Sequence, residues 1–309
     1  MKRREALASV AVIAVTATLV LAPSAHATYP ARNGLIAFMA DTGSGYQIYT
    51  VRADGRDLRQ ITHVNGEALN PDWSPDGRKI AFALDECSIA IMRRDGSHIR
   101  VIPHAAPHAS DVCEADPSFT PDGSRLVFER YDPILDEDAV WSMNLDGGDR
   151  VRITDAGAPD PNVSPNGQTV SFLGGTPDGL TALFTAGLDG SQGFQVTTLY
   201  GIAFKSDWAP DGQHLVVTDN ADDLSRPANI ATIAPDGTDL TYLTDYTSPK
   251  LRAYVGSYSP DGRWIVFRLE DHGRFSLFRM RPDGGEVRAI LGPSKFMPRS
   301  IDWGPAASG

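Results

Sequence analysis

Four histidines, two cysteines and a scatter of carboxylates are the side chains of this sequence best suited to chemistry. His104 and His108 flank Pro107 within one segment, and His63 and His272 lie near acidic residues elsewhere. Imidazole and carboxylate together are the ligand types of a divalent transition metal, which makes His104 and His108 candidate metal ligands. Acidic residues recur in irregular segments: Asp85, Glu86, Asp111, Glu114, Asp136 and Asp138 are the candidates for binding a cationic partner. Clustered carboxylate oxygens also suit Ca²⁺ or another cation, although Asp136-Glu137-Asp138 lacks the alternating spacing of a calcium loop. No Gly-x-Ser-x-Gly elbow and no His-Glu-x-x-His pair occurs, so the sequence carries no nucleophile or zinc-protease signature.

The compartment decides how the cysteines behave. Lys2, Arg3 and Arg4 precede an apolar run from Ala6 to Ala22, then Pro23 and the small-residue pattern Ala25-His26-Ala27. That is the layout of an export signal cleaved after Ala27, giving a signal peptide over 1–27 and a mature chain from 28. Its apolar core is short of the roughly 20 residues that cross a bilayer, and no other stretch approaches that length. An exported chain meets an oxidising compartment, so Cys87 and Cys113 are expected to form a disulfide. The net charge is −11 over 309 residues and the basic residues are dispersed, which excludes a nucleic-acid binder. Losing the export signal makes the charge still more negative.

A repeat sets the elements that must position these groups. Ser74-Pro75-Asp76-Gly77 returns as Thr120-Pro121-Asp122-Gly123, Ser164-Pro165-Asn166-Gly167, Ala209-Pro210-Asp211-Gly212 and Ser259-Pro260-Asp261-Gly262. An apolar residue precedes each copy, and an alternating apolar segment such as Ile80-Ala81-Phe82 follows. Between the copies stand six Asp-Gly pairs, from Asp54-Gly55 to Asp283-Gly284, each flanked by apolar alternation. Asp-Gly in that setting marks a tight hairpin. Each repeat therefore reads as four short antiparallel strands, A to D.

Four-stranded units of about 45 residues are propeller blades. Asn33–Phe38 matches a turn and strand B without a strand A, and Ser300–Pro305 matches a strand A with nothing after it. One blade shared by both ends closes the ring and removes its free edges. The fold expected is all-β: a six-bladed β-propeller over residues 28–309. Its blades span approximately 33–62 plus 300–304, 70–102, 116–154, 160–198, 205–244 and 254–291.

The phrase Trp73-Ser74-Pro75-Asp76-Gly77 with Ile80 and Phe82 resembles the repeat of TolB-type propellers, a WD-like class. The resemblance covers about residues 30–305 and implies the fold rather than an activity. TolB proteins carry an α/β domain ahead of the propeller, and the residues between Ala27 and Asn33 leave no room for one. The chain is therefore expected to be a stand-alone propeller. Relatives among lyases and prolyl-peptidase-like enzymes imply a metal-dependent lyase or hydrolase as the alternative activity.

The repeat also sorts the loops. A–B and C–D turns share one face, while the variable B–C and D–A loops share the other, where function usually sits. The residue before each strand-A landmark is Asp72, Ser118, Asn162, Asp207, Ser257 or Asp302. This ring either lines the channel for an ion or a partner's tip, or satisfies backbone donors where six strands crowd. The function expected is an exported, monomeric binding scaffold without a required cofactor. It docks a protein or glycan partner, basic or cation-bridged, on the variable face.

Overall fold

The computed structural model describes residues 31–85, 87–104, 112–154, 159–177, 179–191, 193–197, 201–202, 205–220 and 223–307. The expected export signal, Glu86, His108 and Asp111 lie outside the described residues. Twenty-four strands and no helix occur among the described residues. Blade 1 holds β1 (Asn33–Asp41), β2 (Tyr46–Val51) and β3 (Arg59–Gln60). Blade 2 holds β4 (Ala68–Trp73), β5 (Lys79–Leu84), β6 (Ser88–Arg93) and β7 (Arg100–Val101). Blade 3 holds β8 (Cys113–Phe119), β9 (Arg125–Asp132), β10 (Glu137–Asn144) and β11 (Val151–Arg152). Blade 4 follows with β12 (Asn162–Val163), β13 (Thr169–Gly175), β14 (Thr181–Gly187) and β15 (Phe194–Gln195). Blade 5 comprises β16 (Asp207–Trp208), β17 (Leu215–Asp219), β18 (Asn229–Ile233) and β19 (Thr241–Tyr242). Blade 6 comprises β20 (Leu251–Tyr258), β21 (Ile265–Asp271), β22 (Arg274–Met280) and β23 (Arg288–Ser294). The last strand, β24 (Arg299–Pro305), returns to blade 1 and pairs antiparallel with β1, placing Ile36 opposite Trp303 and Ala37 opposite Asp302. The structure is thus a six-bladed propeller whose first blade is closed by both chain ends.

The repeated phrase builds the A–B turn through one hydroxyl. Ser74 Oγ accepts from the Lys79 amide at 2.9 Å and donates to Asp76 Oδ1 at 2.6 Å. Asp76 Oδ1 in turn accepts from the Arg78 amide, and Gly77 supplies the positive φ of 67° that closes the turn. Thr120, Ser164 and Ser259 repeat the arrangement with Asp122, Asn166 and Asp261. Ala209 has no hydroxyl, and blade 5 keeps only the Asp211 carboxylate on the Gln213 amide.

C–D turns lock one blade to the one before it. A Cβ placed on Gly96 would fall 1.8 Å from the Ile61 carbonyl oxygen of blade 1. The equivalent contact joins Gly237 to Val196, Gly284 to Leu243, and Gly55 to Ile290 across the closing seam. Glycine is required there by close backbone approach. Six apolar clusters fill the gaps between neighbouring blades, such as Ala37 and Ile48 of blade 1 against Trp73, Ile80 and Phe82 of blade 2. The core is a wheel of interblade layers around a polar axle.

Candidate functional site: the channel and its funnel

The polar axle begins with the ring inferred from the repeat. Asp302 Oδ2 accepts the Trp73 amide at 2.8 Å, and Asp72 Oδ2 accepts the Phe119 amide at 2.9 Å. Asp207 Oδ2 accepts from Tyr258 at 2.7 Å, and Ser257 Oγ accepts from Trp303 at 2.7 Å. In each case the acceptor in one blade holds the strand-A amide of the next. Asn162 Nδ2 donates to Asp207 Oδ1 at 3.1 Å, and Ser118 is buried beside the channel. Small polar residues stand here because inner strands crowd and their buried amides need acceptors.

One residue in this axle lies outside the ring that the repeat marks. Lys205, two positions before Asp207, is largely buried in the channel, its side chain 14% exposed. Its Nζ lies 3.4 Å from Asp302 Oδ1 and donates to the Ile301 carbonyl at 3.2 Å. Burial works against its charge, but Asp302, Asp207, Asp72 and Asp160 together hold its pKa above the ordinary value. Burial pushes Asp207 up to about 7, opposed by Lys205 and reinforced by Asp302. Asp72 and Asp160 are pushed well above the carboxylate range, chiefly by burial and then by the carboxylates of Asp302 and Asp116 respectively. The axle is an ammonium surrounded by acids that cannot all ionise.

Extending the repeat two residues upstream exposes a second layer: Asn70, Asp116, Asp160, Lys205, Val255 and Ser300. Asn70, Asp116, Asp160 and Ser300 adopt φ of 48°, 48°, 55° and 43°. In β4 and β8 this coincides with a register shift, between Leu69 and Asp72 and between Ala115 and Ser118. A bulge re-aims the side chain, here toward the axis. Asn70 Nδ2 donates to Asp116 Oδ1, and Ser300 Oγ donates to Asn70 Oδ1 at 2.6 Å. Glu129 of β9 sits behind Asp116, and burial followed by that neighbouring carboxylate raises it to about 9.

Five residues of this layer, Asn70, Asp116, Asp160, Lys205 and Ser300, line both a 30 Å³ cavity in the axle and a 700 Å³ funnel above it. The funnel opens among the B–C and D–A loops. Tyr46, Tyr254 and Phe275 supply its aromatic wall, and Glu67 and Glu270 its acidic rim. Arg268 is buried against the Tyr254 ring at 4.1 Å and donates to the Pro298 carbonyl, its pKa lowered by burial to about 10. Leu224, 76% exposed, joins the rim.

Comparison with known proteins agrees with this architecture. The model of the TolB beta propeller domain matches residues 9–201. The chain belongs to the TolB β-propeller family. A Tol-Pal system protein TolB of Francisella tularensis subsp. mediasiatica (strain FSC147) is 27% identical over 209 residues, covering 53% of this chain and 48% of that protein. The chain therefore spans about half the length of the curated TolB relatives it matches. The crystal structure of TolB from Acinetobacter baumannii superposes with a TM-score of 0.72 at 20% identity, covering 88% of this chain and 67% of that one. An oligogalacturonate lyase in complex with manganese superposes with a TM-score of 0.57 at 16% identity, covering 86% and 77%, a likeness of fold alone.

Within this TolB-like ring the candidate residues divide. Asp85 lies in a tight B–C turn at φ 53°, and its Oδ1 accepts the Glu67 amide at 2.8 Å. Asp136 is exposed at a left-handed turn position near the Tyr131 hydroxyl. Asp138 is half-buried and contributes to the charge around Glu129. Glu114 is interior: it pairs with Arg150 at 3.2 Å and lies 3.5 Å from His104 Nδ1. His104 Nε2 contacts Ser88 Oγ at 3.2 Å. His63 and His272 are engaged elsewhere, with Gln60 and Asp271. Among the described residues no three His, Cys, Asp or Glu side chains are grouped to hold a metal ion. The Cys87–Cys113 disulfide is present and ties the B–C turn of blade 2 to the start of β8.

Proposed function

We propose that this chain is an exported docking propeller that receives a segment of a protein partner in the funnel. The funnel itself carries the reading: a 700 Å³ opening with aromatic walls, charged rim groups and a polar floor continuous with the axle. Concave sites with apolar walls and a few placed polar groups are where ligands are oriented. Tyr and Arg at such a position are the residue types that dominate interface energetics. Exposed Leu224 adds apolar contact area at the funnel rim, and Ile134 and Leu135 are further exposed apolar side chains of a B–C loop. Membership of the TolB family, whose matched relatives are named for the Tol-Pal system, supports a partner of the same kind. A leader at residues 1–27 and a protein partner that is basic or cation-bridged complete the reading. Among the described residues no helix is long and apolar enough to cross a membrane.

The test is capture from envelope extracts with the chain as bait, compared with Leu224→Asp and Phe275→Ala variants. A partner retained by the parent, lost by both variants and released by added salt is expected. Capture that both variants keep would exclude the funnel as the docking site.

A further inference from the structure

The opposite face carries a charge division that the sequence, read as dispersed, does not display. In blades 6, 1 and 2 the turn segments 259–264, 279–288, 52–60, 74–79 and 93–100 hold twelve arginines and lysines against seven acids. The equivalent segments of blades 3, 4 and 5, residues 120–125, 144–152, 164–169, 187–195, 209–214 and 234–241, hold three against seven. A protein of net charge −11 thus concentrates cations over half of one face.

Those cations converge on a groove of 910 Å³ that crosses blade 1, lined by Arg52, Arg59, Arg94 and Arg279 with Asp54, Asp57 and Asp95. The acids are already engaged. Asp57 holds Arg52 at 2.6 Å, Asp54 holds Arg56 at 3.4 Å, and the Asp95 carboxylate accepts the Ser97 amide and hydroxyl. Arg59, Arg94 and Arg279 have no carboxylate within salt-bridge distance among the described residues. Arg279 is also crowded by like charge. Its guanidinium stacks on Trp264 at 4.5 Å, while Arg281 and Arg288 approach the same ring at 4.1 and 5.5 Å. Burial and then Arg288 depress its pKa, with Asp54 opposing and Arg281 adding to the effect. Its Nε is buried without an acceptor.

We infer that this groove binds a phosphate-bearing anionic ligand, with Arg59, Arg94 and Arg279 as its anchors. A carboxylate is satisfied by one bidentate arginine, whereas a tetrahedral phosphate offers oxygens in several directions. Guanidinium groups brought to one groove by three different blades fit the second geometry. Repulsion from the rest of the chain opposes anions, so attachment must come from the groove itself. This site is independent of the funnel on the other face.

Tripolyphosphate is the probe, titrated calorimetrically into the full chain at low salt. Saturable binding at one site per chain is expected, weakened at least tenfold in Arg59→Gln/Arg94→Gln, where Arg59 is exposed, Arg94 is half-buried and neither holds a carboxylate, so the melt should match the parent. Arg279→Lys keeps the charge but loses the planar fork, and should weaken binding several-fold. In a parallel arm, sedimentation with phosphatidylglycerol vesicles that tripolyphosphate reverses would identify a lipid headgroup as the source of the phosphate. Absence of tripolyphosphate binding, equal binding by the double variant, or equal affinity for a glutamate oligomer of matched charge would each overturn the assignment.

Discussion

Lys205 shows what a single residue does at the centre of the ring. Removing one partner of a buried charge pair costs about 3–5 kcal/mol when the other charge has no relief. Here relief exists, because Asp72, Asp160 and Asp207 can take up protons when the ammonium is gone. Lys205→Met should therefore destabilise little at pH 5 and by about 3 kcal/mol at pH 8, read from urea unfolding at both pH values. Equal losses at the two would contradict the reading. The unmodified chain should show the same sign. Asp207 at about 7 and Glu129 at about 9 bind protons in the folded state more tightly than free carboxylates do. Their stabilisation is complete near pH 4 and is lost as pH rises through those values. Asp57, Asp95 and Asp122 are shifted the other way and lose their contribution on acidification. Thermal stability should peak between roughly pH 4 and 6 and decline toward pH 9, and Glu129→Gln should flatten the upper part of that decline. A profile that rises from pH 6 to 9 would contradict the placement of these groups.

Elements explain which of these facts could be read from sequence. The Pro-Asp-Gly and Asp-Gly turns were legible because each must satisfy fixed local hydrogen bonds, so the same residue types return in every blade. The ring before each strand-A landmark was legible in part for the same reason: in Asp72, Asp207, Ser257 and Asp302 one acceptor serves the next blade's amide. Lys205 was hidden because its role departs from the repeat. Four of the other five blades place Asn, Asp or Ser there, and only the fold shows that its ammonium meets Asp302. Glu114 read as a surface acid because its loop is variable, but Arg150 from the far side of the blade draws it inside. The groove arginines are distant in sequence and meet only through ring closure. Blade 5 offers a test at this scale. Ala209→Ser restores the hydroxyl that Ser74, Ser164 and Ser259 supply, and should stabilise by about 1 kcal/mol, while Ser164→Ala should cost about as much. Denaturant midpoints check both. A destabilising Ala209→Ser would show that blade 5 has diverged beyond its missing hydroxyl.

At the scale of the whole molecule, closure makes a ring with two faces of different chemistry. β24 completes blade 1, so the inner strands surround an axle of bridging acids and one ammonium. One face opens as a funnel onto that axle, and the other gathers arginines at the seam where the chain ends meet. TolB family membership accounts for the ring, while the funnel is the surface we propose receives a partner. The most direct test replaces Leu224 at the funnel rim, or Ser191 in an exposed turn of the opposite face, with a photo-crosslinking phenylalanine analogue, followed by irradiation in envelope extract. A discrete crosslinked protein from position 224, suppressed by salt, and none from position 191 is the expected result. The same crosslink from position 191 with none from 224 would contradict docking at the funnel.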